Sequence, residues 1–152
     1  MAVSGSKDGT VIVHTIRRGQ FQRTLRPPSD SCVPMQISEL QVGMEGHIVV
    51  GEQKGKYSIY VYSVNGCLLS SFTMEEQITA VHLVSEYVIL GSMQGSLHIR
   101  DLYSLDALVT PLALRVPVRS VSVTKECSHI LVGLEDGKLI VVGAGKPEEV
   151  RD

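Results

Sequence analysis

Apolar residues in this chain gather in short, mostly β-branched runs, and the runs come in pairs around a recurring glycine spacing. Ala2-Val3, Ile48-Val49-Val50, Val88-Ile89-Leu90 and Ile130-Leu131-Val132 lead into two glycines four residues apart: Gly5 and Gly9, Gly51 and Gly55, Gly91 and Gly95, Gly133 and Gly137. A second run follows each pair, at Val11-Ile12-Val13, Tyr57 to Val61, Leu97 to Ile99 and Leu139-Ile140-Val141. The runs before the glycines are nearly all apolar, as in a strand buried on both faces. The runs after them alternate more visibly, as in a strand with one buried face. Glycine in the connection supplies positive φ without steric cost, and Asp8-Gly9 and Asp136-Gly137 are strong hairpin dipeptides. The pattern therefore predicts four β-hairpins, with the eight glycines as structural turn residues.

The first glycines of the pairs stand 46, 40 and 42 residues apart. A period of about 40–45 residues with two central strands per repeat is the spacing of propeller blades. Two more strands per unit are expected: 33–41 and 67–74 around the second hairpin, the latter entered through Asn65-Gly66, then 77–84 and 105–113 around the third, and 118–124 before the fourth. Pro27-Pro28 and Pro117 fall between units, where a missing backbone donor does little harm. The reading is all-β: a propeller segment of about three and a half four-stranded blades forming an incomplete ring. Its units cover 1–27, 33–74, 77–113 and 118–145, followed by a polar tail over 146–152. The first unit begins inside its second strand and the fourth ends after its third, near Gly143. Even small propellers use about four blades, so the expectation is a portion of a longer chain. A β-sandwich is the alternative fold, disfavoured because its strands need not recur at this period.

Composition narrows function mainly by exclusion. The 152 residues are 43% hydrophobic and 20% charged, with a formal net charge of −2. That balance denies the chain the broad basic footprint of a nucleic-acid binder. No apolar run approaches the roughly 18 residues of a membrane span, and no basic stretch followed by an apolar one marks a secretory signal. Cys32, Cys67 and Cys127 are odd in number and widely spaced, which reads as reduced thiols and a cytoplasmic setting.

No catalytic, cofactor or metal residues are assigned. His14, His47, His82, His98 and His129 have no ligand partners at short spacing, and nothing resembles a nucleophile elbow. Glu75-Glu76 and Glu148-Glu149 read as solvated turn charges, since neighbours on a strand point to opposite faces. Gly143-Ala144-Gly145-Lys146-Pro147 lacks the glycine spacing and the hydroxyl residue of a phosphate loop. Arg17, Arg18, Arg23 and Arg26 put four positive charges in a span without an acid. They read first as protection of an outer edge strand, and alternatively as a contact for anionic lipid or an acidic peptide. An enzyme built on a propeller would need a convergent polar cluster at the channel mouth, where the repeats offer glycine, serine and aliphatic residues.

Gly5-Ser6-Lys7-Asp8-Gly9-Thr10-Val11-Ile12-Val13 resembles the strand–turn–strand core of WD40 repeats, and Arg100-Asp101 stands where that family commonly ends a strand with Trp-Asp. The chain has no tryptophan and no Gly-His pair opening a repeat unit, Gly46-His47 falling inside the second unit, and so it departs from the family at the hydrogen-bond tetrad that braces better-preserved WD40 blades. Tyr57 to Gly66, Arg119 to Lys125 and Val132 to Val142 look like the last blades of the BEACH–WD40 family, in its neurobeachin-like branch. The resemblance implies a C-terminal propeller segment of a large cytoplasmic scaffold, peripheral on endomembranes, with roles in vesicle trafficking and membrane-protein localisation. It also implies protein partners: the remaining propeller blades and BEACH domain of the parent chain, and a protein kinase regulatory subunit.

Overall fold

The computed structural model of the chain describes residues 2–14, 21–25, 37–43, 46–54, 56–63, 65–84, 86–126, 128–143 and 147–150. These form antiparallel strands and turns, with four sheets whose strands follow one another in chain order. The first sheet joins β1 (Ala2–Gly5), β2 (Val11–His14) and β3 (Phe21–Leu25). The second joins β4 (Ile37–Val42), β5 (Ile48–Lys54), β6 (Lys56–Tyr62) and β7 (Leu68–Met74). The third holds β8 (Ile78–Val84), β9 (Tyr87–Ser92), β10 (Ser96–Asp101) and the short β11 (Leu112–Ala113). The fourth holds β12 (Val118–Val123), β13 (His129–Leu134), β14 (Leu139–Gly143) and β15 (Pro147–Val150).

The chain divides into two compact units, Met1–Glu75 and Glu76–Asp152, each with its own apolar core. In the first, Val11, Val13, Leu25, Ile48, Val50, Tyr60 and Tyr62 pack with Val3, Ile37 and Leu40. In the second, Ala80, Val84, Ile89, Leu97, Val118, Val132, Leu134 and Val142 form the centre. The expectation that the strand before each glycine pair is covered on both faces holds for β5 and β9. Ile48, Val49 and Val50, like Val88, Ile89 and Leu90, are almost wholly out of solvent. Each such side chain contributes roughly 1.5–3 kcal/mol by leaving water.

The glycine pairs divide into two kinds. Gly9, Gly95 and Gly137 have φ near +85° and make the turns. Gly5, Gly51, Gly91 and Gly133, expected as turn residues, are strand residues of β1, β5, β9 and β13. They are glycines because a neighbour fills the place of a side chain. A Cβ on Gly91 would lie 2.3 Å from Val118 Cγ1, and one on Gly133 2.6 Å from Ser120 Oγ. Gly55 lies outside the described residues.

Two further expectations are corrected. The presumed polar tail contains β15, whose Pro147, Glu148, Glu149 and Val150 pair with Val142, Val141, Ile140 and Leu139. An edge strand tolerates both charge and a leading proline, because one side of its backbone needs no partner. The fourth sheet therefore has a fourth strand. In the third, the strand expected over 105–113 shrinks to Leu112–Ala113 and one bridge between Arg100 and Ala107. A turn takes its place: Asp101 Oδ1 accepts the amides of Tyr103 and Ser104 at 2.9 and 3.0 Å, and Leu105 adopts φ 61° with its side chain buried.

Candidate functional site

One irregularity recurs in three sheets and builds the most distinctive surface of the second unit. The first strand slips register just after it starts, between Ile37 and Glu39, between Ile78 and Ala80, and between Val118 and Ser120. Beyond each slip, Glu39, Ala80 and Ser120 stand opposite Gly51, Gly91 and Gly133. The extra residue of the bulge is Ser38, Thr79 or Arg119. Bulges re-aim a side chain, and in two sheets the re-aimed group is a hydroxyl that binds back: Ser38 Oγ donates to the Gly51 carbonyl at 3.1 Å, and Thr79 Oγ1 approaches the Gly91 carbonyl at 3.3 Å. Thr79 Oγ1 also bonds the Val118 carbonyl, which ties the third sheet to the fourth just before Arg119. In the fourth sheet the position carries Arg119, whose side chain is exposed.

Around this junction Thr79, Met93, Pro117, Val118, Arg119 and Glu135 line a pocket of about 230 Å³. Its walls are held by the backbone. The Met93 amide, in the β9–β10 turn, donates to the Gln77 carbonyl at 2.9 Å, and the Glu135 amide, in the β13–β14 turn, donates to the Pro117 carbonyl at 3.0 Å. Met93 is 47% exposed although apolar. Among the described residues neither Arg119 nor Glu135 makes an ion pair or a side-chain hydrogen bond.

Behind the β9–β10 turn sits a polar brace. His98, on β10, is buried, and its Nε2 donates to Glu76 Oε2 at 3.1 Å. Burial acts to raise the Glu76 carboxyl, but hydrogen bonds from His98, Ser92 and Ser96 outweigh it and hold the group below its ordinary value. The Ser96 amide in turn donates to Ser92 Oγ at 3.0 Å. Thus the two adjacent glutamates part company. Glu75 stays exposed, 2.8 Å from Lys56 Nζ, whereas Glu76, expected as a solvated turn charge, turns inward. This Glu–Ser–Ser–His set links the connection into β8, where Glu76 lies, to the end of β9 and to β10.

The arginine span meets the described structure only at Arg23, on β3; Arg17, Arg18 and Arg26 lie outside it. Arg23 is half-buried, and its guanidinium donates through Nη1 to the Asn65 carbonyl in the β6–β7 turn. That position gives it a local structural task. Among the described residues no group of three His, Cys, Asp or Glu is placed to hold a metal ion, and no helix is long and apolar enough to cross a membrane. Cys67 is exposed and free; Cys32 and Cys127 lie outside the described residues.

Sequence reasoning did not pick out Thr79, Met93, Arg119 or Glu135. Their signal was present but faint: Ser38, Thr79 and Arg119 precede the first glycine of their pairs by 13, 12 and 14 residues.

Comparison with known proteins agrees with this architecture. The family described as the neurobeachin beta propeller domain matches residues 1–151. BEACH domain-containing protein B of Arabidopsis thaliana is 32% identical over 151 residues, covering 97% of this chain and 6% of that protein. A neurobeachin homologue of Caenorhabditis elegans is 24% identical over 146 residues, covering 95% of this chain and 6% of that protein. The chain therefore spans about 6% of the length of these relatives. Among solved structures, the computationally designed proteins Ika8 and Ika4 share the fold, with TM-scores of 0.76 and 0.73 at 24% identity. Ika8 aligns over 97% of this chain and 44% of its own, Ika4 over 93% and 83%. The blade-length period, the four antiparallel meanders and the family match lead to one conclusion: the chain belongs to the neurobeachin β-propeller family, the WD40 segment of BEACH–WD40 proteins.

Proposed function

We propose that this segment is a non-catalytic interaction scaffold that holds partner proteins on the rim of its sheets. The observation that carries the proposal is the braced rim of the second unit. Backbone bonds to Gln77 and Pro117 hold the β9–β10 and β13–β14 turns, and Thr79 holds the backbone that bears Arg119. A rigid frame presenting variable turn residues supplies contact area at low ordering cost. Within a BEACH scaffold the segment would act in vesicle trafficking and membrane-protein localisation, in the cytoplasm and peripherally on endomembranes. Its partners would be the remaining blades and BEACH domain of the parent protein, together with soluble proteins such as a protein kinase regulatory subunit.

The test is proximity labelling in cells with the parent protein carrying either the native rim or Met93→Asp, a change at an exposed turn residue. We expect the altered rim to lose a defined subset of neighbours while the protein's abundance is unchanged. An identical neighbour set for both forms would remove the rim from the account, and recovery of chaperones alone would count against a scaffold of any kind.

A further inference from the structure

We infer that the pocket lined by Thr79, Met93, Pro117, Val118, Arg119 and Glu135 receives one apolar side chain of an extended protein segment, flanked there by an acidic residue on one side and a basic residue on the other. This deepens the scaffold reading and rests on it.

Size decides the class of occupant. Sites for drug-sized ligands and cofactors run from about 300 to 1,000 Å³. At about 230 Å³ this pocket falls below that range and is suited to a single side chain. Its lining supplies the matching chemistry, since Met93, Pro117 and Val118 offer apolar contact and a methionine adapts to irregular shapes. Met93 is half exposed, in a turn fixed by its own amide bond to Gln77. The apolar surface is therefore held open to solvent by the fold.

Charge decides what lies beside that side chain. Arg119 and Glu135 both line the pocket, both are exposed, and among the described residues neither is paired. They come from different elements: Arg119 is the bulged residue of β12, and Glu135 belongs to the turn after β13. The bulge position that carries a back-bonding hydroxyl in the second and third sheets carries here a free guanidinium, the side chain best fitted to take a carboxylate on two nitrogens. A segment with an acid and a base around an apolar residue meets both charges in one direction of travel. Run the other way, it meets two like-charge contacts, which steer the wrong orientation away. A uniformly acidic or basic surface, such as a lipid headgroup layer, satisfies one of the two charges and opposes the other.

Two fluorescein-labelled peptides, Gly-Ser-Asp-Leu-Lys-Ser-Gly and Gly-Ser-Lys-Leu-Asp-Ser-Gly, test this by anisotropy on the full 152-residue chain. A version of each with serine in place of leucine is the control. One order should bind about tenfold more tightly than its leucine-free control and than the reversed order. The exchange Arg119→Glu with Glu135→Arg should invert the preference. Both positions are exposed, so the doubly altered chain should keep its circular dichroism and melting temperature, which serves as the folding control. Equal binding of the two orders, no gain from leucine, or a preference that the exchange leaves in place or abolishes would each overturn the inference. If the peptides fail while the rim variant still changes the cellular neighbour set, the scaffold reading stands and only the occupant is wrong. Failure of both removes the reading itself.

Discussion

At the scale of single residues, glycine has two separate jobs in this chain, and they predict different costs. Gly95 and Gly137 both adopt positive φ, so alanine at either is strained by about 1–2 kcal/mol. Around Gly137 nothing lies within 4 Å of an added Cβ, but at Gly95 that carbon would meet the backbone of Arg115 and Val116 at 2.7–2.9 Å. Gly95→Ala should therefore destabilise the chain distinctly more than Gly137→Ala in urea titrations. Equal losses would show that conformation alone governs both sites. The tyrosines of the second sheet give the opposite kind of forecast. Tyr62 is buried, and its hydroxyl has no hydrogen-bond partner among the described residues. Tyr62→Phe removes an unsatisfied polar atom without opening a cavity, so at pH 7 its melting temperature should equal or exceed that of the parent.

At the scale of elements, the repeating unit is a bulged strand set against a glycine-ended hairpin, and its contacts can be dissected. Val118, from β12, occupies the space above Gly91 of β9. Gly91→Ala should cost about 1–3 kcal/mol by overpacking, and Val118→Ala should cost a similar amount by leaving a void. Together they should cost less than their sum by more than about 0.5 kcal/mol, because each relieves the other; strict additivity in a double-mutant cycle would contradict this contact. Thr79 makes the second link between these sheets. Thr79→Val leaves the Val118 carbonyl without its hydroxyl partner and should cost about 1–3 kcal/mol, whereas Thr79→Ser, which keeps the hydroxyl, should retain most of the stability. The hairpins themselves were legible from the runs and the glycine spacing. The bulges were not, since a single extra residue leaves the local polar and apolar pattern almost unchanged. Nor was β15, whose Pro-Glu-Glu-Val composition reads as tail until the free edge of β14 is there to receive it.

For the whole molecule, the buried titratable groups set the pH limits of stability. The Glu76 carboxyl is held below its ordinary value, so its contribution is fully present above the unfolded-state value near 4.5 and is lost as pH falls through the lower folded one. Glu76→Gln should lower stability at pH 7 and flatten the acid side of the curve; an unchanged acid slope would show that the brace with His98 contributes nothing to folding. On the alkaline side the sign reverses, because burial and then neighbouring Tyr60 push the Tyr62 phenol from 10.0 up to about 12. The unfolded chain gives up that proton first, so stability should fall between pH 10 and 12, and Tyr62→Phe should blunt the fall. The sequence by itself determined the strand runs, the turns at Gly9, Gly95 and Gly137 and the blade-length period, because each is a preference of neighbouring residues for one backbone geometry. Tertiary structure alone decided that Thr79 would clamp a carbonyl 39 residues away, that Glu76 would turn in toward His98, and that Arg119 and Glu135 would flank one pocket. Those pairings have no local pattern to announce them: they exist only once separate sheets pack and exclude water from the space between.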